Sequence, residues 1–289
     1  MAVHEPDGTS DATAEGVDES RAMWDAAAGG WERQADRMWA ATRAVSEGLV
    51  EMAAPRPGET VLELAAGAGD TGLLAAERIA PGGRLIISDR SPQMLDAARR
   101  NAERRGTADV EFAVLDAEAL ALGDASVDVV LCRWAFMLMA DPVGALSETR
   151  RVLTSGGRAA LAVWGPRDAN AWNTTIMDPL IERGLAEVAA PGEPGMYRLA
   201  DGERLDAMLR TAGFSSVELR ELPVAWRFAQ VEDYWRAMGD ISPSLGRALH
   251  DQAPADVQAL RADVAARASA FRTDDGYELP GVAIGALAR

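Results

Sequence analysis

Three carboxylates placed at the ends of apolar runs carry the first chemical signal in this chain. Glu63 sits in the run Val61-Leu62-Glu63-Leu64, two residues before the small-residue loop Ala65-Ala66-Gly67-Ala68-Gly69. A carboxylate in an apolar strand is costly to desolvate, and a cationic ligand close by would account for it. Asp89 ends the next apolar run, just ahead of Ser91-Pro92. An acidic side chain at that point can accept both hydroxyls of a ribose. The competing reading is a helix-capping aspartate, which is weakened because Ser91 already supplies a cap. Asp116-Ala117 closes a third run, where the aspartate can accept from an adenine amino group or hold a local turn. The loop after Glu63 adds a backbone that a ligand can approach closely, followed by a helix whose first turn offers free N–H groups. Alone such a loop is not specific, because strand-to-helix turns are often glycine-rich for packing.

These residues need a scaffold that brings strand ends together, and the pattern of the chain supplies one. Apolar runs at 60–65, 84–88, 110–115, 127–132 and 158–164 alternate with helical stretches, the signature of a parallel sheet wrapped by crossover helices. Ser91-Pro92 and Asp141-Pro142 each put a capping side chain before a proline, so both helices start directly after a strand. Later runs at 217–228 and 280–287 complete a seven-stranded, mostly parallel, Rossmann-like α/β sheet with helices on both faces. Residues 1–20 read as a disordered acidic tail, 21–54 as an N-terminal helical cap and 55–165 as the binding core. Residues 166–289 read as the rest of the sheet, with helical cap insertions at 166–200 and 230–277.

Composition removes several function classes. The 289 residues carry a formal charge of −16, which opposes docking on a phosphate backbone or an anionic lipid surface. All 29 basic residues are arginine, so lysine Schiff-base chemistry and a Walker-type phosphate loop are out. The single cysteine, Cys132, excludes an intrachain disulfide and a cysteine-cluster metal site, and no metal is expected. No apolar run is long enough to span a bilayer and no secretory signal opens the sequence, so the expectation is a cytoplasmic protein.

The series VLELAAGAGD, LIISDRSPQMLDAARR, VLDAEAL, SVDVVLCRWAFMLMADP and RRVLTSGGRAALAVW resembles class I S-adenosylmethionine-dependent methyltransferases. The group it resembles includes the ubiquinone and menaquinone biosynthesis C-methyltransferases, and the resemblance covers about residues 57–164. It implies S-adenosylmethionine as cofactor, with Glu63 near the methionine amino group and Ala65, Gly67 and Gly69 along the methionine side. It places Asp89 on the ribose with Arg90 beside it, Met94 on the adenine, Asp116 and Ala117 at the adenine edge, and Arg133 at the methionine half. Ala65 stands where the family usually has its first loop glycine, and Ser155 where a proline is usual.

In such an enzyme catalysis is largely alignment of a nucleophile with the methyl carbon, and a base is needed only for a protonated acceptor. Base candidates are few: His250 in the late insertion, and Tyr197. An acceptor pocket over the sheet's C-terminal edge would draw on Trp24, Trp31, Trp39, Trp134, Trp164 and Trp172, suited to a small, largely apolar or aromatic molecule. Most of these tryptophans read equally as core, Trp134 and Trp164 being better placed because strand-end loops face the reaction centre, and the Trp-rich helices read equally as a contact between the subunits of a homodimer. Rival readings are the same fold and cofactor serving a non-methylating reaction, a nicotinamide-dependent dehydrogenase, and a non-catalytic cofactor-binding subunit.

Overall fold

The computed structural model describes residues 9–190 and 192–289. Two helices, α1 (Thr9–Arg33) and α2 (Ala35–Ala53), precede the alternating part. That part runs β1 (Thr60–Leu64), α3 (Asp70–Ile79), β2 (Arg84–Asp89), α4 (Pro92–Arg105), β3 (Val110–Val114), β4 (Val127–Arg133), α5 (Pro142–Val152) and β5 (Leu153–Trp164). Next come α6 (Ala171–Glu182), α7 (Gly202–Thr211), β6 (Val217–Phe228), α8 (Val231–Ile241), α9 (Pro243–Leu249) and α10 (Pro254–Ala268). The last elements are β7 (Arg272–Thr273) and β8 (Gly276–Ala288).

The sheet order is β3-β2-β1-β4-β5-β8-β6, with β7 folded back on β8. β1 to β5 pair in parallel, whereas β8 runs antiparallel to both β5 and β6. Strands β1, β2 and β4 are buried along nearly their whole length, which is why they read as continuous apolar runs rather than as alternation. Both foreseen caps form. Ser91 Oγ accepts the Met94 N–H at 3.1 Å, and Asp141 Oδ1 accepts the Gly144 N–H at 2.9 Å. Strand order reverses across β1 and β4, so their C-terminal ends flank the crevice in which open α/β sheets bind ligands.

The expected seven-stranded, mostly parallel sheet forms, while three other expectations need correction. Beside the seven strands, a turn at Asp274-Asp275 folds Arg272–Thr273 onto β8. Gly276 permits this: its φ is 135°, and a Cβ there would stand 2.3 Å from the Phe228 carbonyl oxygen. The late helical insertion therefore ends at Ala268 rather than at Tyr277. Residues 1–8 of the expected acidic tail lie outside the described residues, and α1 already begins at Thr9 rather than at residue 21. Finally, α2 is no cap. It packs on β4, β5, β6 and β8 and beside α3, with Val45 and Leu49 fully buried, so of the two helices it is α1 that lies over the crevice.

Candidate functional site

The loop after β1 is bent by three left-handed residues, Ala65 at φ 47°, Gly67 at 55° and Gly69 at 75°. Ala65 takes this angle despite its methyl group. Asp89, at the end of the neighbouring β2, holds the loop in place. Its Oδ2 accepts the Gly67 N–H and its Oδ1 the Ser91 N–H, each at 2.9 Å. Burial pushes the Asp89 carboxyl above the usual aspartate range, and the two N–H groups oppose that shift.

A cleft of about 850 Å³, part of it open to solvent, lies over this loop. Its floor is Ala65, Ala66 and Gly67, and one wall is Asp89, Arg90 and Met94 with Leu115 and Ala117 at the end of β3. The segment after β4 supplies the other wall, from Arg133 and Trp134 through Ala135 to Leu138 and Met139. Trp24 and Trp31 of α1 close the top, edge to face with centroids 5.7 Å apart. Polar contacts fasten α1 on both sides. Towards α4, Ser91 Oγ donates to Asp25 at 2.5 Å and Arg100 pairs with Glu32 at 2.6 Å. Towards α8, Arg33 and Gln34 both donate to Asp240 at 2.6 Å, and the Trp31 indole donates to the Ile241 carbonyl at 3.2 Å.

Beneath the floor lies a cluster of charges. Glu63 is buried between Ile87 and Leu131 of the flanking strands, and its Oε2 has no hydrogen-bond partner. Burial pushes its carboxyl up to about 8; the N–H groups of Gly72 and Thr71 and the Arg133 charge pull the other way without matching it. Asp70 is shared between Arg105 at 2.6 Å and Arg133 at 3.7 Å. The Arg133 side chain is 9% exposed and also donates to Thr42 Oγ1 at 2.7 Å. Arg105 and Arg133 thus share the Asp70 carboxylate, with Glu63 buried beside them.

The sequence-derived candidates divide. Ala65, Gly67, Asp89, Arg90, Met94, Ala117 and Arg133 meet in the cleft, as do Trp24, Trp31 and Trp134. Glu63 lies below the lining rather than in it. Gly69 instead packs against the β2–α4 layer, where a Cβ would meet Ile87 and Ala98. Asp116 is not among the residues lining the cleft; its Oδ1 accepts from the Arg90 guanidinium at 2.8 Å and from the Glu118 N–H at 3.0 Å. Trp39 stands against Arg105, 4.5 Å from ring centroid to guanidinium carbon, and is no part of the pocket. Trp164 and Trp172 belong to a buried stack, Trp134-Trp164-Trp172-Trp226, with successive centroids 4.1, 4.9 and 5.4 Å apart.

Neither proposed base reaches the cleft. His250 is exposed at the end of α9. The Tyr197 hydroxyl donates to Asn173 Oδ1 at 3.0 Å, and burial pushes its phenol further from ionisation. Sequence reasoning missed Ala66, Leu115, Ala135, Leu138 and Met139. Their signal was positional only: they sit just after the ends of β1, β3 and β4.

Comparison with known proteins is consistent across sequence and fold. Residues 55–213 match the family model described as "Methyltransferase domain". The chain is 33% identical over 234 residues to a ubiquinone/menaquinone biosynthesis C-methyltransferase of Acidiphilium cryptum, covering 75% of this chain and 90% of that one. It is 32% identical over 188 residues to an arsenite methyltransferase of Halobacterium salinarum, covering 65% of this chain but only 45% of the relative's length. Among solved structures, a putative methyltransferase of Bacillus halodurans shares the fold with a TM-score of 0.55 at 23% identity, covering 84% of this chain and 97% of that one.

Proposed function

Because this chain belongs to the methyltransferase domain family, we propose that it binds S-adenosylmethionine over the 65–69 loop and methylates a small, largely apolar acceptor. The observation that carries the reading is the convergence of that loop, Asp89, Met94, Ala117 and Arg133 in one cleft. The residues fit the cofactor. The floor lacks bulky side chains, and Asp89 keeps acceptor capacity for ribose hydroxyls after taking two N–H groups. Met94, Leu115 and Ala117 offer an apolar slot for a base, and Arg133 faces the end where a carboxylate would lie.

When bound, S-adenosylmethionine supplies an electrophilic methyl group with its leaving group built in. The chain's own contribution is then to orient and to exclude water. Trp24 and Trp31 close the top, while Trp134, Leu138 and Met139 form an apolar wall against which a flat, quinone-like or natural-product ring can pack. Among the described residues, the cleft-lining side chains include no histidine, tyrosine or glutamate, and Asp89 is engaged by the loop. Alignment alone can be worth an effective molarity on the order of 10⁵ M, which is the main catalytic term in this reading.

Calorimetric titration of the wild-type protein and Asp89→Ala with S-adenosylmethionine and S-adenosylhomocysteine tests the reading. Micromolar binding that falls at least about tenfold in the variant is expected. A folded wild type that binds neither ligand overturns it. Release of S-adenosylhomocysteine with turnover separates methyl transfer from a non-methylating reaction at the same site.

A further inference from the structure

Trp31 reaches down from the roof to the loop after β1. A Cβ at Gly67 would stand 3.8 Å from its Cζ3 and 4.0 Å from its Cε3, so the six-membered half of the indole lies against the cleft floor. The opposite edge of the ring is fixed. Its Nε1–H donates to the Ile241 carbonyl at 3.2 Å, and the neighbouring Asp240 is held by Arg33 and Gln34, so the ring keeps its seat over the loop. Trp24, two helical turns earlier on α1, stands at 85° to it with centroids 5.7 Å apart.

Both rings line the cleft and both are half-buried, which leaves aromatic surface for a ligand. Two tryptophans at right angles form a corner, part of the kind of aromatic enclosure that recognises onium groups. Cation–π attraction reaches about 6 Å from a ring centroid. The Cβ position of Gly67, 3.8 Å from the ring edge, lies inside that reach.

S-adenosylmethionine and its product differ by one charge at sulfur. Methyl transfer breaks the S–CH₃ bond, leaves its electron pair on sulfur and turns the sulfonium into a neutral thioether. An apolar roof would hold the two alike, because burial depends on area, whereas the face of an indole attracts only the cation. Resting on the methyl-transfer reading above, we infer that Trp31, with Trp24 at right angles to it, reads the charge at that sulfur. The roof attracts the sulfonium and gives up that attraction once the methyl group has left, so the reaction itself loosens the product.

The test titrates the full chain calorimetrically with three ligands. S-adenosylmethionine and sinefungin carry a positive charge at or beside the sulfur position, and S-adenosylhomocysteine carries none there. The readout is the Kd of the neutral ligand divided by that of each cation, in which a general loosening of the roof cancels. Trp31→Leu should lower both ratios at least about fivefold. A trifluorinated tryptophan at position 31 keeps the shape and the indole N–H but drains the ring of electron density. It should lower both ratios about threefold or more and leave S-adenosylhomocysteine affinity within about twofold of wild type. Trp39→Leu, away from the cleft against Arg105, should leave the ratios unchanged. Ratios that stay within about twofold of wild type in Trp31→Leu or in the fluorinated protein overturn the inference, as does an equal fall in Trp39→Leu. If Trp31→Leu binds none of the ligands, the fluorinated protein decides. A folded wild type that binds none of the three overturns the methyl-transfer reading itself.

Discussion

Asp25 on α1 accepts the hydroxyl of Ser91 at 2.5 Å, and Ser91 at the same time caps α4 by accepting the Met94 N–H. One side chain thus ties the roof of the cleft to the helix that starts beside Asp89. Asp25→Ala cuts the tie and leaves the cap intact. Stopped-flow displacement should show S-adenosylhomocysteine leaving roughly threefold to tenfold faster, the scale of one typical net hydrogen bond. An unchanged rate would mean that the roof is held by its other contacts alone.

The opposite seam is steric. A Cβ at Gly30 would stand 2.0 Å from the Asp240 carbonyl oxygen, so α1 cannot keep its seat on α8 with any larger residue there. Gly30→Ala gains intrinsic helix propensity, worth about 1 kcal/mol, yet should weaken S-adenosylhomocysteine binding by about tenfold or more because Trp24 and Trp31 move with the helix. Thermal unfolding and calorimetry together check this. Affinity equal to wild type would show that α1 is not the roof of the occupied site.

Much of this arrangement was legible because its signals are local. Continuous apolar runs marked the strands that are buried on both faces, and Ser91-Pro92 and Asp141-Pro142 marked helix starts by chemistry confined to four residues. The loop 65–69 and Asp89 follow from the same logic, since strand ends converge wherever strand order reverses. The residues that escaped are set by distant partners. The partner of Asp25 lies 66 positions away, and nothing around Asp25 announces it. Aromatic identity likewise says that Trp39, Trp164 and Trp172 want burial without saying where: strand pairing sends Trp164 into a stack, and Arg105 claims Trp39.

That distinction can be checked directly. Trp39→Ala should cost stability, about 1 kcal/mol, through its lost contacts with Arg105 and Arg43. His250→Ala, at an exposed helix end, should cost less than about 0.5 kcal/mol. Neither should change S-adenosylhomocysteine affinity by more than about twofold. A large loss of affinity in either variant, measured by calorimetry with intact unfolding transitions, would return that residue to the site.

Glu63 provides the pH signature. Its carboxyl titrates near 8 in the folded chain instead of at the ordinary 4.5, because burial disfavours the charge. Between those values the folded state holds a proton that the unfolded state has released. Stability attributable to Glu63 is therefore full below about 4.5 and declines as pH rises towards 8. Glu63→Gln keeps the shape and removes the titration. Chemical denaturation of both proteins across this range should give a wild-type-minus-variant difference that falls with pH, by about 5 kcal/mol in total. A flat difference would mean that Glu63 stays ionised in the fold, held by Arg133 and the first turn of α3. A ligand cation near Oε2 would then be unnecessary to explain its burial.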